Sequence, residues 1–77
     1  MSNKSLAQLP AGAHATILTF TDGRAVTNRL ASLGFTPGVD VGMAQNFGRG
    51  PLIVTVRGTR VALGRGEAEK IFILQGA

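Results

Sequence analysis

Arg29-Leu30-Ala31-Ser32-Leu33-Gly34-Phe35-Thr36-Pro37-Gly38 ends a short helix and launches a strand, and the rest of the fold can be worked out from it in both directions. Val26, Leu30 and Leu33 recur at spacings of four and three, which makes one apolar stripe on a helix over 24–33. Gly34 stands where the residue after a helix takes the left-handed conformation at no steric cost. Phe35 follows at the position that packs back on Leu30 in a Schellman motif. Pro37 blocks any continuation of the helix, and Pro37-Gly38 suits the centre of a type II turn.

Upstream, Thr21-Asp22-Gly23 is a turn in which Asp22 can cap the helix. Before it, residues 13–20 are rich in β-formers and predict a strand. His14, Thr16, Leu18 and Phe20 share one face, and Ala13, Ala15, Ile17 and Thr19 share the other. The pattern leaves open which face is inside. Leu6 and Leu9, three apart, pin a short turn onto the core before Pro10-Ala11-Gly12 breaks it. Downstream, residues 39–47 alternate, with Val39, Val41, Met43 and Phe47 on the apolar face of a half-buried strand. Gly48-Arg49-Gly50-Pro51 is a loop. Residues 52–57 and 60–64 are the arms of a hairpin around Gly58-Thr59, with glycine first as a type II′ turn prefers. That register sets Val56 against Val61, Val54 against Leu63 and Arg57 against Arg60. Residues 65–70 allow one helical turn, and 71–74 a last short strand. The expected architecture is mainly β: about five short strands, one helix after the first, and Gly-rich turns, as in a small closed or nearly closed barrel.

A chain of 77 residues is expected to form one domain over 1–77. A domain of that size buries roughly 60% of the surface its unfolded chain exposes, which leaves little room for an enclosed cleft. A hydrophobic fraction of 44% with 16% charged residues excludes disorder. The chain has no cysteine, whereas a small extracellular domain usually carries disulfides, so the reducing cytosol is the expected compartment. No apolar run is long enough to span a membrane. The net charge of +4 fits nucleic acid, anionic lipid or an acidic protein surface, and equally a simple solubility feature.

Catalytic chemistry finds no support. His14 is the one histidine, there is no Cys and no G-x-S-x-G, and Glu67 and Glu69 sit two apart in a turn where side chains are solvated. Gly64-Arg65-Gly66 lacks the third glycine of a dinucleotide fingerprint and the lysine of a P-loop. His14, Met43 and the acids have no metal-ligand spacing, so neither a metal site nor a cofactor is expected. A nucleic-acid-binding β-barrel is the rival reading, because Arg49, Arg57, Arg60 and Arg65 all lie in the second half. Such modules interleave stacking aromatics with the charge. This chain has no Trp or Tyr, and Phe20, Phe35, Phe47 and Phe72 are accounted for as core or capping residues.

The segment from Arg29 to Gly38 resembles the R-L-x-x-L-G-[hydrophobic]-x-P-G signature of FeoA, the ferrous-iron transport protein A family. Pro51-Leu52-Ile53-Val54-Thr55-Val56-Arg57-Gly58, Val61-Ala62-Leu63 and Ala68-Glu69-Lys70-Ile71 are similar to later blocks of that family, in order, and Leu6-x-x-Leu9-x-x-Gly12 to its opening. The chain departs in one place, where Gly64 intervenes before Arg65. The resemblance covers roughly residues 5–74. It implies an SH3-like β-barrel and a cytosolic accessory protein of bacterial ferrous iron uptake. The implied partner is FeoB, the membrane permease with a cytosolic GTPase domain, which would hold the protein at the inner face of the membrane. The same domain type also ends iron- and manganese-dependent repressors. Leu30, Leu33, Gly34, Phe35, Pro37 and Gly38 are explained by the capped helix and its turn. Arg29 is not needed for either, and is free to pair with Asp40 or to face a partner. Ile53 lies opposite the Val54 and Val56 face as an exposed apolar residue, and Arg57 and Arg60 can together face an acidic surface. These four are the candidate partner-binding residues.

Overall fold

The computed structural model describes residues 4–20 and 24–75. In order these form β1 (Lys4–Ser5), a 3-10 turn (Leu6–Gln8), β2 (His14–Phe20), α1 (Arg24–Ser32), β3 (Asp40–Gln45), β4 (Leu52–Val56), β5 (Thr59–Leu63), α2 (Arg65–Ala68) and β6 (Ile71–Gln75). The strands make one antiparallel sheet of six in the order β1-β6-β2-β3-β4-β5. The strand beyond the expected five is β1, two residues paired with Ile73 and Phe72, too short to leave an alternation in the sequence.

Alternation decides the inside. Ala15 and Ile17 of β2, Val41 and Met43 of β3, Leu52, Val54 and Val56 of β4, Leu63 of β5, and Ile71 and Ile73 of β6 are buried in one cluster. The inner faces of five strands therefore converge on one core, and the sheet has to curl around it. Leu6 and Leu9 close the core from the N-terminal turn, Leu30 and Phe35 from α1 and its exit, and Ala68 from α2. The face of β2 that the pattern left open is resolved in favour of Ala15 and Ile17, and His14 and Leu18 look outward. A register shift against β6 between Ile17 and Thr19 lets Phe20 return to half-burial.

The helix ends as its sequence dictates. Phe35 N–H donates to the Leu30 carbonyl (2.9 Å) and Gly34 N–H to the Ala31 carbonyl (3.0 Å), the two bonds of a Schellman motif, with Gly34 at φ +101°. Leu30 and Phe35 are both fully buried. Val39 N–H donates to the Thr36 carbonyl (3.0 Å) around Pro37 and Gly38, the expected turn, and Gly38 has φ +91°. The Asp22 cap and the Val26 side chain lie outside the described residues.

Two expectations are corrected. Residues 39–47 do not alternate to their end: the register against β4 shifts between Met43 and Gln45, the strand stops there, and Phe47 is 77% exposed rather than in the core. The hairpin turn is Arg57-Gly58, not Gly58-Thr59. Val56 pairs with Thr59, Thr55 with Arg60, Val54 with Val61 and Leu52 with Leu63. Arg57 at φ 51° and Gly58 at φ 77° give the two positive angles of a type I′ turn, whose twist matches that of the strands. The register moves by two residues, so the same side chains stay inside, but Leu52 now meets Leu63, and both are fully buried.

Candidate partner-binding surface

The outer face of the β4–β5 hairpin carries two of the four candidate residues. Leu52, Val54 and Val56 point inward, so Ile53 and Thr55 point outward; on β5, Arg60 and Ala62 do the same. Ile53, expected to be exposed, is instead half-buried between Gln45 and Ala62, its pairs on β3 and β5. Arg60 lies beside Thr55, at the end of a cross-strand row that runs through Gly42 to His14. The His14 ring covers Gly42 so closely that a Cβ there would sit 3.1 Å from Nδ1. Arg57 is the third member. It occupies the turn rather than a position opposite Arg60, and its stem passes the end of α1, with Cδ 3.9 Å from where a Gly34 Cβ would stand. Among the described residues, neither Arg57 nor Arg60 has a carboxylate partner.

Arg29 is placed apart from these three. It makes an ion pair with Glu67, not Asp40, and so ties α1 to α2. Glu67 is held from its other oxygen by the Gly64 N–H at 3.4 Å. Asp40 instead accepts the Thr16 hydroxyl at 2.8 Å. With Arg29 paired to Glu67, the hairpin brings together Arg57 and Arg60, two arginines without a carboxylate partner among the described residues.

A polar strap escaped the sequence reading. The Asn46 side-chain amide donates to the carbonyls of Ala7 (3.0 Å) and Leu9 (2.9 Å), and its oxygen accepts the Gly48 N–H (3.0 Å) and an Arg65 Nη at 2.7 Å. The other Arg65 Nη reaches the Ala7 carbonyl at 3.4 Å, and Nε is buried without a partner. Asn46 thus joins the N-terminal turn, the end of β3 and α2. Its bond to Gly48, two residues on, is an Asx turn that Asn-x-Gly announces. Its other partners lie 19 to 39 residues away and leave no local signal. Beyond this anchored base, the loop presents Phe47 and Arg49 to solvent.

Among the described residues there is no cavity, and no three of His, Cys, Asp and Glu come together as a metal site. No helix among them is long and apolar enough to cross a membrane.

A family model described as the FeoA domain matches residues 4–74. The FeoA of Stenotrophomonas maltophilia, solved with zinc, is 34% identical with a TM-score of 0.79, over 90% of this chain and 87% of its own. It is described as a prokaryotic SH3 domain protein and a candidate activating factor of ferrous iron transport. The FeoA of Chlorobium tepidum is 28% identical with a TM-score of 0.86, over 95% of this chain and 70% of its own. A crystal structure described as an iron uptake regulatory protein, FeoA, is 25% identical with a TM-score of 0.92, over 97% of this chain and all of its own. No curated protein sequence matches the chain.

Proposed function

The chain belongs to the FeoA domain family, and from that premise we propose that it is a non-catalytic accessory protein of bacterial ferrous iron uptake. It binds the cytosolic, GTPase-bearing region of the permease FeoB and modulates Fe2+ transport or the GTPase. It works at the inner face of the cytoplasmic membrane, held there by that partner, and acts as one folded unit over residues 1–77. The observation that carries this reading is the family match over residues 4–74. The fold supports it: the buried side chains of the described residues form one core, and Ile53, Arg57 and Arg60 lie outside it on the hairpin, where they suit a protein surface.

Iron is cargo of the system in this reading, handled by the permease. Arg57, Arg60 and Ile53 contact the partner, and Arg29 contributes through α1. The test is a titration of the full chain with the permease's recombinant cytosolic region, with and without guanine nucleotide, beside Fe2+ uptake in cells lacking this protein. Association in at least one nucleotide state and impaired uptake are expected. No association in either state, with uptake intact, overturns the proposal.

A further inference from the structure

β5 ends the sheet on one side, and its register against β4 runs without a shift. The turn fixes which of its backbone groups face outward. In a two-residue hairpin the closing pair, here Val56 and Thr59, exchanges both hydrogen bonds, and hydrogen-bonded and open pairs then alternate. Thr59, Val61 and Leu63 therefore bond to β4, and the N–H and C=O groups of Arg60 and Ala62 point away from it. Among the described residues no strand or loop backbone pairs with them, and both residues are exposed. Sheet edges are usually blunted by proline, bulges, short length or charge, and of these β5 carries only the charge of Arg60. The opposite edge strand, β1, is two residues long, whereas β5 has five, with no proline and no bulge.

We infer that an extended acidic segment of the protein partner pairs with the β5 edge as a further strand, with a carboxylate beside Arg60 and an aliphatic side chain beside Ala62. The inference rests on the reading that this chain works by binding a protein. Pairing supplies the missing partners for the Arg60 and Ala62 backbones, which is how extended peptides dock on open edges. The charge selects the occupant. Arg60 on the strand and Arg57 at its tip have no carboxylate partner among the described residues, and the chain carries +4 overall. A second copy of β5 would bring further arginines to the same edge, which like-charge pairing disfavours. Ala62 is small and leaves its neighbour Ile53 half-exposed, so an aliphatic side chain two residues from the carboxylate covers both.

The experiment follows amide hydrogen exchange of the full chain with two probes, the permease's cytosolic region and a short synthetic peptide of the repeat Glu-Thr-Val-Thr, which sets glutamate and valine two residues apart on one face. Protection of the Arg60 and Ala62 amides by the permease region is expected. Ala62→Pro removes an outward N–H without touching the β4 ladder, and Arg60→Glu reverses the charge. Each is expected to weaken binding about tenfold or more, and Arg49→Glu, with the same change in net charge, less than about twofold. Because Arg60→Glu leaves the backbone intact, the test survives if Ala62→Pro fails to fold. If the permease region binds and β5 is unaffected, the inference is overturned while the proposed function stands. If only the peptide protects β5, the edge inference stands and the choice of permease fails. Protection by neither probe overturns it, as does a wild-type dimer that Ala62→Pro abolishes.

Discussion

Gly34 has a backbone angle that only a glycine adopts without strain. It holds φ +101° and donates to Ala31, which closes the helix. A Cβ there would meet Val56 Cγ2 at 3.6 Å, an ordinary contact, so the cost of a side chain is conformational rather than steric. Gly34→Ala is expected to destabilise by about 1 kcal/mol and to lower the melting temperature by about 4–8 °C. An unchanged thermal midpoint would show that the left-handed cap does not limit stability. This residue was legible because a helix stop is a local event, written in Leu33-Gly34-Phe35 itself. Arg57 was not. It takes a positive φ that arginine disfavours, and a glycine next to it drew the expected turn one residue too far on. Arg57→Asn puts Asn-Gly into the type I′ turn and is expected to raise stability by up to about 1 kcal/mol while slowing association with the permease region. Denaturant midpoints and association rates separate the two effects. A variant that loses stability would place the Arg57 stem against α1 as the stronger influence.

At the scale of elements, the hairpin and the Asn46 strap explain where sequence reading runs out. Alternation assigns faces, so the inward set of β4 and β5 was legible. It does not set register, which the turn decides, and a shift of two residues preserves every face. The end of β3 is lost for a different reason. Periodicity counts Phe47 into the core, but the shift between Met43 and Gln45 and the bonds of Asn46 to the N-terminal turn end the strand first. These bonds join segments distant in sequence. Asn46→Ala leaves the Ala7 and Leu9 carbonyls and Arg65 without their partner, and is expected to cost about 1–3 kcal/mol. Chemical denaturation measures this, and Asn46→Asp, which keeps the Arg65 contact but sets a carboxylate oxygen against the Ala7 and Leu9 carbonyls, should not restore the loss. A wild-type midpoint for Asn46→Ala would remove the strap from the account of stability. The Arg29–Glu67 pair is more modest. Arg29 is 56% exposed, so a double-mutant cycle should return no more than about 1 kcal/mol.

Over the whole molecule the charge decides between rival readings. Six arginines invite a nucleic-acid surface, but the structure divides them: Arg65 is bound into the strap, Arg29 into its ion pair, and Arg49 lies on the loop beside the exposed Phe47. No row of exposed aromatics runs among them, so only weak, salt-sensitive binding of a single-stranded oligonucleotide is expected at physiological salt. A sub-micromolar complex would revive the nucleic-acid reading. For the permease region, Arg57→Gln with Arg60→Gln is expected to lower the association rate and flatten its dependence on ionic strength. Superimposable rate curves would reassign both arginines to solubility. One arrangement described above also governs how the molecule comes into being. β6 follows every other element along the chain yet lies second in the sheet, between β1 and β2, and it brings Ile71 and Ile73 into the core. On the ribosome β2 therefore waits, with one flank unpaired, until residue 75 has cleared the exit tunnel, and until then the nascent chain can hold only β2, β3, β4 and β5 as a partial meander. Folding then follows release of this segment rather than accompanying its synthesis, so a stall before Arg65 should leave a protease-sensitive chain, and the finished fold should form in one late step.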